Sequence, residues 1–308
     1  MLNIEKGLAR VRAGTALRSV DGTAAPDFSG AEPAPDIAAD AAAPAARAFD
    51  QSAAARPLEQ PAPRPSEQPS TAPRPLDIGR LQNVPLDPAV LEWNRIVVDD
   101  QIGASAAYKV LRTRVLQRMR RNNWKTLAVT GTCPDEGKSL TAVNLAITLA
   151  RHVGTSVVLV DMDLRKPSIH RHLGISPKYG LSDYLRGGVP LERVAVRPGL
   201  ERLGVIVNER SFANSSDILA SPQAVELVDQ VKQGEGRIAV FDLPPVFAGD
   251  DVLAFAPFVD AVLLVLAQGT TRRNDLVAVR ELLQNVNVVG AVLNRSSEEV
   301  APYYYGSR

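Results

Sequence analysis

The sequence predicts an α/β fold, a doubly wound and mostly parallel sheet with helices on both faces. Two patterns carry that prediction. Short apolar runs rich in β-branched residues, such as Val157-Val158-Leu159-Val160 and Ile238-Ala239-Val240-Phe241, alternate with segments of helical period, as expected for strands covered on both sides. Aspartates close such runs at Asp161 and Asp242, and a glycine-bounded loop, Gly131-Thr132-Cys133-Pro134-Asp135-Glu136-Gly137-Lys138-Ser139, joins one run to the helix after it. In doubly wound sheets a ligand lies outside the carboxyl ends of the strands, where that loop and those aspartates fall.

Composition narrows the classes. At 308 residues the chain has room for one large domain or two small ones. A net charge of +1 provides no global field for nucleic acid, and no nucleic-acid partner is expected. Cys133 is the single cysteine, which excludes an internal disulfide or a cysteine-rich zinc site and suits a reducing compartment. His170 and His172 read as solvated residues after a turn, and with His152 they make only a weak metal cluster. No apolar run reaches the roughly 18 residues of a spanning helix, and the start lacks the apolar region of a secretory signal. The expected location is therefore cytoplasmic, with recruitment to the inner face of the plasma membrane through a partner or a surface helix.

In chain order, residues 1–20 place Ile4, Leu8 and Val11 at helical spacing among Glu5, Lys6, Arg10 and Arg12, a short amphipathic helix or a frayed start. Residues 21–88 hold 13 of the 23 prolines, and their Pro/Ala-rich composition reads as a semi-rigid disordered tether. Folded structure is expected over residues 89–300, starting near Leu91. A helix through Ala104, Tyr108, Leu111, Val115 and Met119 carries Lys109, Arg112, Arg114, Arg118, Arg120 and Arg121, a face that is either solvated or turned to a neighbouring subunit or a phosphorylated segment. Thr126 to Thr130 forms the strand before the loop, and Leu140 to Leu149 the helix after it. Helices are expected at Leu181–Leu185, Leu191–Val194, Ser215–Leu219, Pro222–Val231 and Asp275–Leu283. Further strands are expected at Leu203–Val207, Ile238–Phe241, Val259–Leu266 and Val286–Leu293, and residues 301–308 form a tyrosine-rich tail.

Strand, glycine-bounded loop, Lys-Ser and helix is the arrangement that cradles phosphates. Backbone N–H groups from Gly131 to Leu140 face the anion, Lys138 reaches the β/γ-phosphates, and the Ser139 hydroxyl can ligate Mg²⁺. Gly131 lies one residue further from Gly137 than the common spacing asks, with Thr132 in the expected place. Asp161, Asp163 and Asp242 can converge on that Mg²⁺. Asp242 follows four apolar residues as in a Walker B strand, and Asp161 and Asp163 face one side if their segment stays extended, so one can contact the metal while the other receives a proton.

Val157 to Pro167, with its Asp161-Met162-Asp163-Leu164-Arg165 core, closely resembles the second Walker A′ motif of the bacterial tyrosine kinases of exopolysaccharide and capsule systems. Asp242-Leu243-Pro244-Pro245 resembles that family's Walker B segment. Leu181-Ser182-Asp183-Tyr184-Leu185-Arg186-Gly187 and Val292-Leu293-Asn294-Arg295 are similar to two further family blocks. The resemblance covers about Gly103 to the end and implies the P-loop fold shared with MinD/ParA-type ATPases. It implies an ATP- and Mg²⁺-dependent tyrosine autokinase regulating polysaccharide polymerisation or export. Lys138 and Ser139 would hold phosphate and metal, Asp161 and Asp242 would support the metal, and Asp161 or Asp163 would deprotonate the tyrosine. Tyr303, Tyr304 and Tyr305 would be the acceptors. The implied partners are a membrane-embedded chain-length regulator (co-polymerase), further copies of the chain in a homo-oligomer, and a cognate phosphatase.

Two positions depart from the family pattern. Its helix before the loop carries E-x-x-R-x-x-R for ring assembly, where this chain has Ala106, Lys109 and Arg112, and lysine does not reproduce a bidentate arginine contact. Leu243 replaces a small hydroxyl residue after the Walker B aspartate. The alternatives are a MinD/ParA-like ATPase, against which Cys133 stands in place of a signature lysine, and a nucleotide-binding regulator with little kinase activity. Oxidation of Cys133 would block nucleotide entry in a redox-sensitive loop; small apolar filling is the plainer role for it.

Overall fold

The apolar β-branched runs become strands: β1 (Gln82–Asn83), β2 (Thr126–Gly131), β3 (Ser156–Asp161), β4 (Ala195–Arg197), β5 (Leu203–Ile206), β6 (Arg237–Asp242), β7 (Ala261–Ala267) and β8 (Val288–Asn294). The structure, a computed structural model, describes residues 75–97 and 104–297. Among the described residues these strands form one sheet in the order β1-β4-β5-β3-β6-β2-β7-β8. The β4–β5 pair is antiparallel, and every other neighbouring pair is parallel. The helices are α1 (Pro88–Trp93), α2 (Ser105–Arg121), α3 (Lys138–Ala150), α4 (Ile169–Leu173), α5 (Leu181–Leu185), α6 (Leu191–Val194), α7 (Ser215–Leu219), α8 (Pro222–Val231), α9 (Asp251–Phe255) and α10 (Arg273–Leu282).

Side chains alternate across a strand, and here each set enters a different core. Leu127, Val129, Val157, Leu159 and Val240 pack with α1 to α4 on one face. Ala128, Val158, Val160, Ala239 and Phe241 pack with α5 to α10 on the other. A one-residue slip would exchange these sets, so burial on both faces pins the register. On the second face the Phe241 and Phe255 rings meet edge-on at 5.2 Å. Pro222 starts α8 at its first turn, and the Ser221 hydroxyl caps the helix by accepting the Ala224 N–H.

Two expectations need correction. The fold begins before Leu91, within the stretch read as tether. Leu76, Ile78 and Leu81 are buried, Asp77 caps the 3-10 turn Ile78–Arg80 through the Gly79 N–H at 3.0 Å, and β1 pairs with β4. The Arg237 guanidinium donates to the Leu76 carbonyl at 3.3 Å. Three apolar anchors outweigh the proline content around them. Likewise, His170 and His172 are half-buried within α4, and burial lowers both imidazole pKa values below the ordinary range. The expected N-terminal helix (residues 1–20) and most of the tether lie outside the described residues.

Leu81 fills the space above Gly204, where an added Cβ would meet its methyl at 3.2 Å. Leu81→Ala is expected to cost about 2–4 kcal/mol, measured as a lower urea midpoint at unchanged slope. A tether residue would leave the midpoint where it is.

Candidate active site

Parallel register brings the chemistry together. Asp161 is the cross-strand partner of Asp242 in the β3–β6 pair, Val129 lies opposite Asp242 in β2–β6, and Gly131 lies opposite Val265 in β2–β7. The loop after β2 and both aspartates therefore share the carboxyl edge of adjacent strands. Asp161 and Asp242 are fully buried, and Asp163 and Lys138 are nearly so.

The three acids are held differently. Asp161 Oδ2 accepts the N–H groups of Ser168 and Ile169, each at 2.9 Å, at the start of α4. Its Oδ1 is buried without a partner, as are both oxygens of Asp242. Asp163 lies beyond the end of β3, and its Oδ1 accepts the Lys166 N–H at 2.9 Å. Burial, and then the charge of Asp242, push the Asp161 carboxyl well above the usual carboxylate range. Burial raises Asp242 to about 7, while the nearby Ser139 hydroxyl and Lys138 ammonium hold it down and Asp163 adds to the rise.

The loop is shaped by an acid of its own. The Glu136 side chain, fully buried, accepts the Thr132 N–H at 2.6 Å, the Cys133 N–H at 3.0 Å and the hydroxyls of Thr132 and Thr271. A Cβ on Gly131 would lie 2.3 Å from a Glu136 oxygen and 2.7 Å from the Val265 carbonyl. Gly131 is thus required because the carboxylate and β7 approach it closely. Gly137 caps α3 with φ 86°, a left-handed conformation that favours glycine, and a Cβ there would strike Asn294 Nδ2 at 2.1 Å. The loop expectation is narrowed accordingly: Thr132 and Cys133 spend their N–H groups on Glu136 and Pro134 has none. The loop N–H groups not taken up by Glu136 begin at Asp135 and run into the first turn of α3.

Sequence reasoning missed four partnerships. Thr271, in the turn after β7, reaches Glu136 from more than a hundred residues away. Asn294 Nδ2 donates to the Glu136 carbonyl at 2.9 Å, and the Arg295 guanidinium donates to the Asp135 carbonyl. Arg165, inside the quoted Asp-Met-Asp-Leu-Arg run, pairs with buried Asp251 at 2.6 Å, and no local pattern announces Asp251. Leu243 is buried in the second core, its N–H donating to Val129 O at 2.9 Å.

Among the described residues no group of three or more His, Cys, Asp or Glu forms a metal cage. Mg²⁺ does not need one, because it keeps several waters and takes one or two carboxylates together with substrate phosphates. The orphaned oxygens of Asp161 and Asp242, beside Ser139, fit that requirement.

No family model matches the chain. Over 208 residues it is 28% identical to the tyrosine-protein kinase YwqD of Bacillus subtilis, covering 66% of this chain and 87% of that protein. Over 218 residues it is 29% identical to the succinoglycan biosynthesis transport protein ExoP of Rhizobium meliloti, covering 66% of this chain and 26% of ExoP. The solved kinase domain of the Escherichia coli tyrosine kinase ETK superposes with a TM-score of 0.57 at 28% identity, covering 66% of this chain and 80% of that one. In sequence and in fold the chain is similar to bacterial tyrosine kinases. It spans most of YwqD but about a quarter of ExoP. The positions of the family's ring-assembly motif lie on α2, with Ala106 exposed and Lys109 and Arg112 half-buried. Tyr303, Tyr304 and Tyr305 lie outside the described residues.

A carboxyl raised from 3.8 to about 7 binds its proton more tightly in the folded state. Its effect on stability therefore turns unfavourable as pH climbs from about 4 to about 7 and stays fully unfavourable above that. Asp242→Asn is expected to raise the melting temperature of the ligand-free protein at pH 8 by several degrees and at pH 4.5 by much less. Thermal scans across that range check it.

Proposed function

We propose that this chain is an ATP- and Mg²⁺-dependent protein-tyrosine kinase that phosphorylates its own Tyr303, Tyr304 and Tyr305 and regulates exopolysaccharide polymerisation or export. The observation that carries this reading is the in-register pair Asp161 and Asp242, with unpartnered buried oxygens beside Lys138 and Ser139. An ATPase fold needs a phosphate loop. Two orphaned acids next to that loop make the best sense as a cation site facing a nucleotide.

In this reading Lys138 and the N–H groups from Asp135 to Leu140 take the β/γ-phosphates. Ser139, Asp242 and the free oxygen of Asp161 hold Mg²⁺, which when bound neutralises charge on the β/γ oxygens. Asp163 is the base. The phenol it would deprotonate has an unperturbed pKa of about 10, so a positioned carboxylate lowers the cost of forming the nucleophile at neutral pH. Asp161 suits the base role less, because its Oδ2 is committed to two backbone N–H groups.

ExoP, a named polysaccharide transport relative, matches this chain over only part of its length. Among the described residues no helix is long and apolar enough to cross a membrane. A membrane-embedded chain-length regulator, binding the kinase through a cytosolic segment, would bring it to the inner face of the plasma membrane. Further copies of the chain and a cognate phosphatase complete the proposed set of partners. One observation favours a second reading, a nucleotide-binding regulator with little kinase activity: Leu243 offers Asp242 no hydroxyl, and its side chain faces the core.

The purified chain incubated with Mg-ATP should gain phosphate on Tyr303 to Tyr305, read by peptide mass spectrometry. Lys138→Met should lower that gain by roughly 100-fold or more. Nucleotide binding without phosphotyrosine, even with the regulator's cytosolic segment present, would overturn the kinase reading in favour of the regulator.

A further inference from the structure

The Glu136 carboxylate is an anion placed inside a loop built to receive anions. Its two oxygens take two backbone N–H groups and two hydroxyls, those of Thr132 and Thr271. Thr271 is itself fixed, because its hydroxyl accepts the Ala267 N–H at 2.9 Å from the end of β7. The outer side of the loop is tied as well. Arg295 takes the Asp135 carbonyl and Asn294 the Glu136 carbonyl, both from the end of β8. In a trans peptide the N–H points opposite to the C=O. Drawing these two carbonyls toward β8 turns the N–H groups of Glu136 and Gly137 away from it.

We propose that Glu136 and Thr271 are positioning residues that hold the phosphate loop in its nucleotide-binding shape before nucleotide arrives, with the Glu136 carboxylate serving as a resident anion for the first half of the loop. This rests on the nucleotide-binding reading of the site and adds to it a division of the loop. Thr132 and Cys133 are bound internally, and the donors from Asp135 onward are left for phosphate. Asp135 is held at φ 62°, a left-handed conformation uncommon for a residue other than glycine, and that conformation persists because the surrounding bonds determine it. Holding the loop in advance removes the ordering cost from nucleotide binding. Thr271 is the part of this brace furthest along the chain, and its hydroxyl is the one polar group by which the turn after β7 reaches the carboxylate among the described residues.

The experiment compares the 308-residue chain with Thr271→Val, Thr271→Ser and Glu136→Gln, using Mg-ADP as the probe. Stopped-flow binding gives association and dissociation rates, and hydrogen–deuterium exchange of the ligand-free protein follows a peptide over residues 126–140 against one over residues 237–243. Valine keeps the shape of threonine without its hydroxyl, and loss of a hydrogen bond to a charged group is expected to slow nucleotide association by about tenfold. Loop exchange should rise by a similar factor while the β6 peptide stays unchanged, and Thr271→Ser should restore both. Glu136→Gln, which places an amide among four donors, should move both readouts in the same direction as Thr271→Val. Wild-type association rates in Thr271→Val and Glu136→Gln would overturn the proposal, as would exchange rising equally in loop and β6. If the wild-type chain binds no Mg-ADP, the nucleotide reading itself fails and takes this proposal with it.

Discussion

Asp161 and Asp242 stand side by side because β3 and β6 are parallel and in register, and the rest of the site is arranged around that constraint. Burying a carboxylate without partners is costly, and burying two together adds their repulsion. The fold meets part of the cost locally. The start of α4 donates two N–H groups to Asp161, and Lys138 lies close enough to hold the Asp242 pKa down. It leaves three oxygens with no partner within the described chain. Such a pair would be a defect in a structural sheet. At the carboxyl edge beside a phosphate loop, it is a demand for positive charge.

Glu136 shows the contrast. It too is a fully buried acid, a few residues from Lys138. Its carboxylate collects four donors, whereas Asp242 has only the nearby Ser139 hydroxyl and Lys138 ammonium to offset its charge. A satisfied buried acid rigidifies what surrounds it; an unsatisfied one is completed by something from outside. Two acids of similar burial are thus told apart by their hydrogen bonds: one is satisfied within the chain and the other is left open. Asp161 lies between them, one oxygen used to start a helix and the other left open.

The fold was legible because two cores impose two interleaved apolar patterns on each central strand. Val157 to Val160 and Ile238 to Phe241 could be read as strands without knowing their partners, and the acids closing them followed at once. Among the elements that escaped is β4, three residues between a short helix and a turn, too brief to show a period. The early start at Leu76 escaped for a different reason. Proline density over residues 21–88 dominates the composition, and three apolar side chains inside it have meaning only once β4 and Gly204 are present to receive them. In the site, the residues that the local chain singles out, Lys138, Ser139, Asp161 and Asp242, are ones that the fold brings to one edge. Glu136 was counted with the loop, but its side chain acts through Thr271, and that contact depends on β7 lying next to β2. Arg165 and Asp251 likewise meet only because the turns after β3 and β6 are neighbours.

The same topology bears on how the tail tyrosines relate to the site. Strand β8 runs parallel to β7, so it ends at the carboxyl edge, and its last residues, with Arg295, touch the loop. The chain therefore leaves the described fold at the rim of the site. From Asn294 to Tyr303 an extended chain spans at most roughly 30 Å, the order of a small domain's width. Reach does not separate transfer within one copy from transfer between copies. Pro302 fixes one backbone angle directly before Tyr303. The end of β8 therefore serves one rim twice: Asn294 and Arg295 hold two carbonyls of the loop, and the proposed acceptor tyrosines follow them directly along the chain.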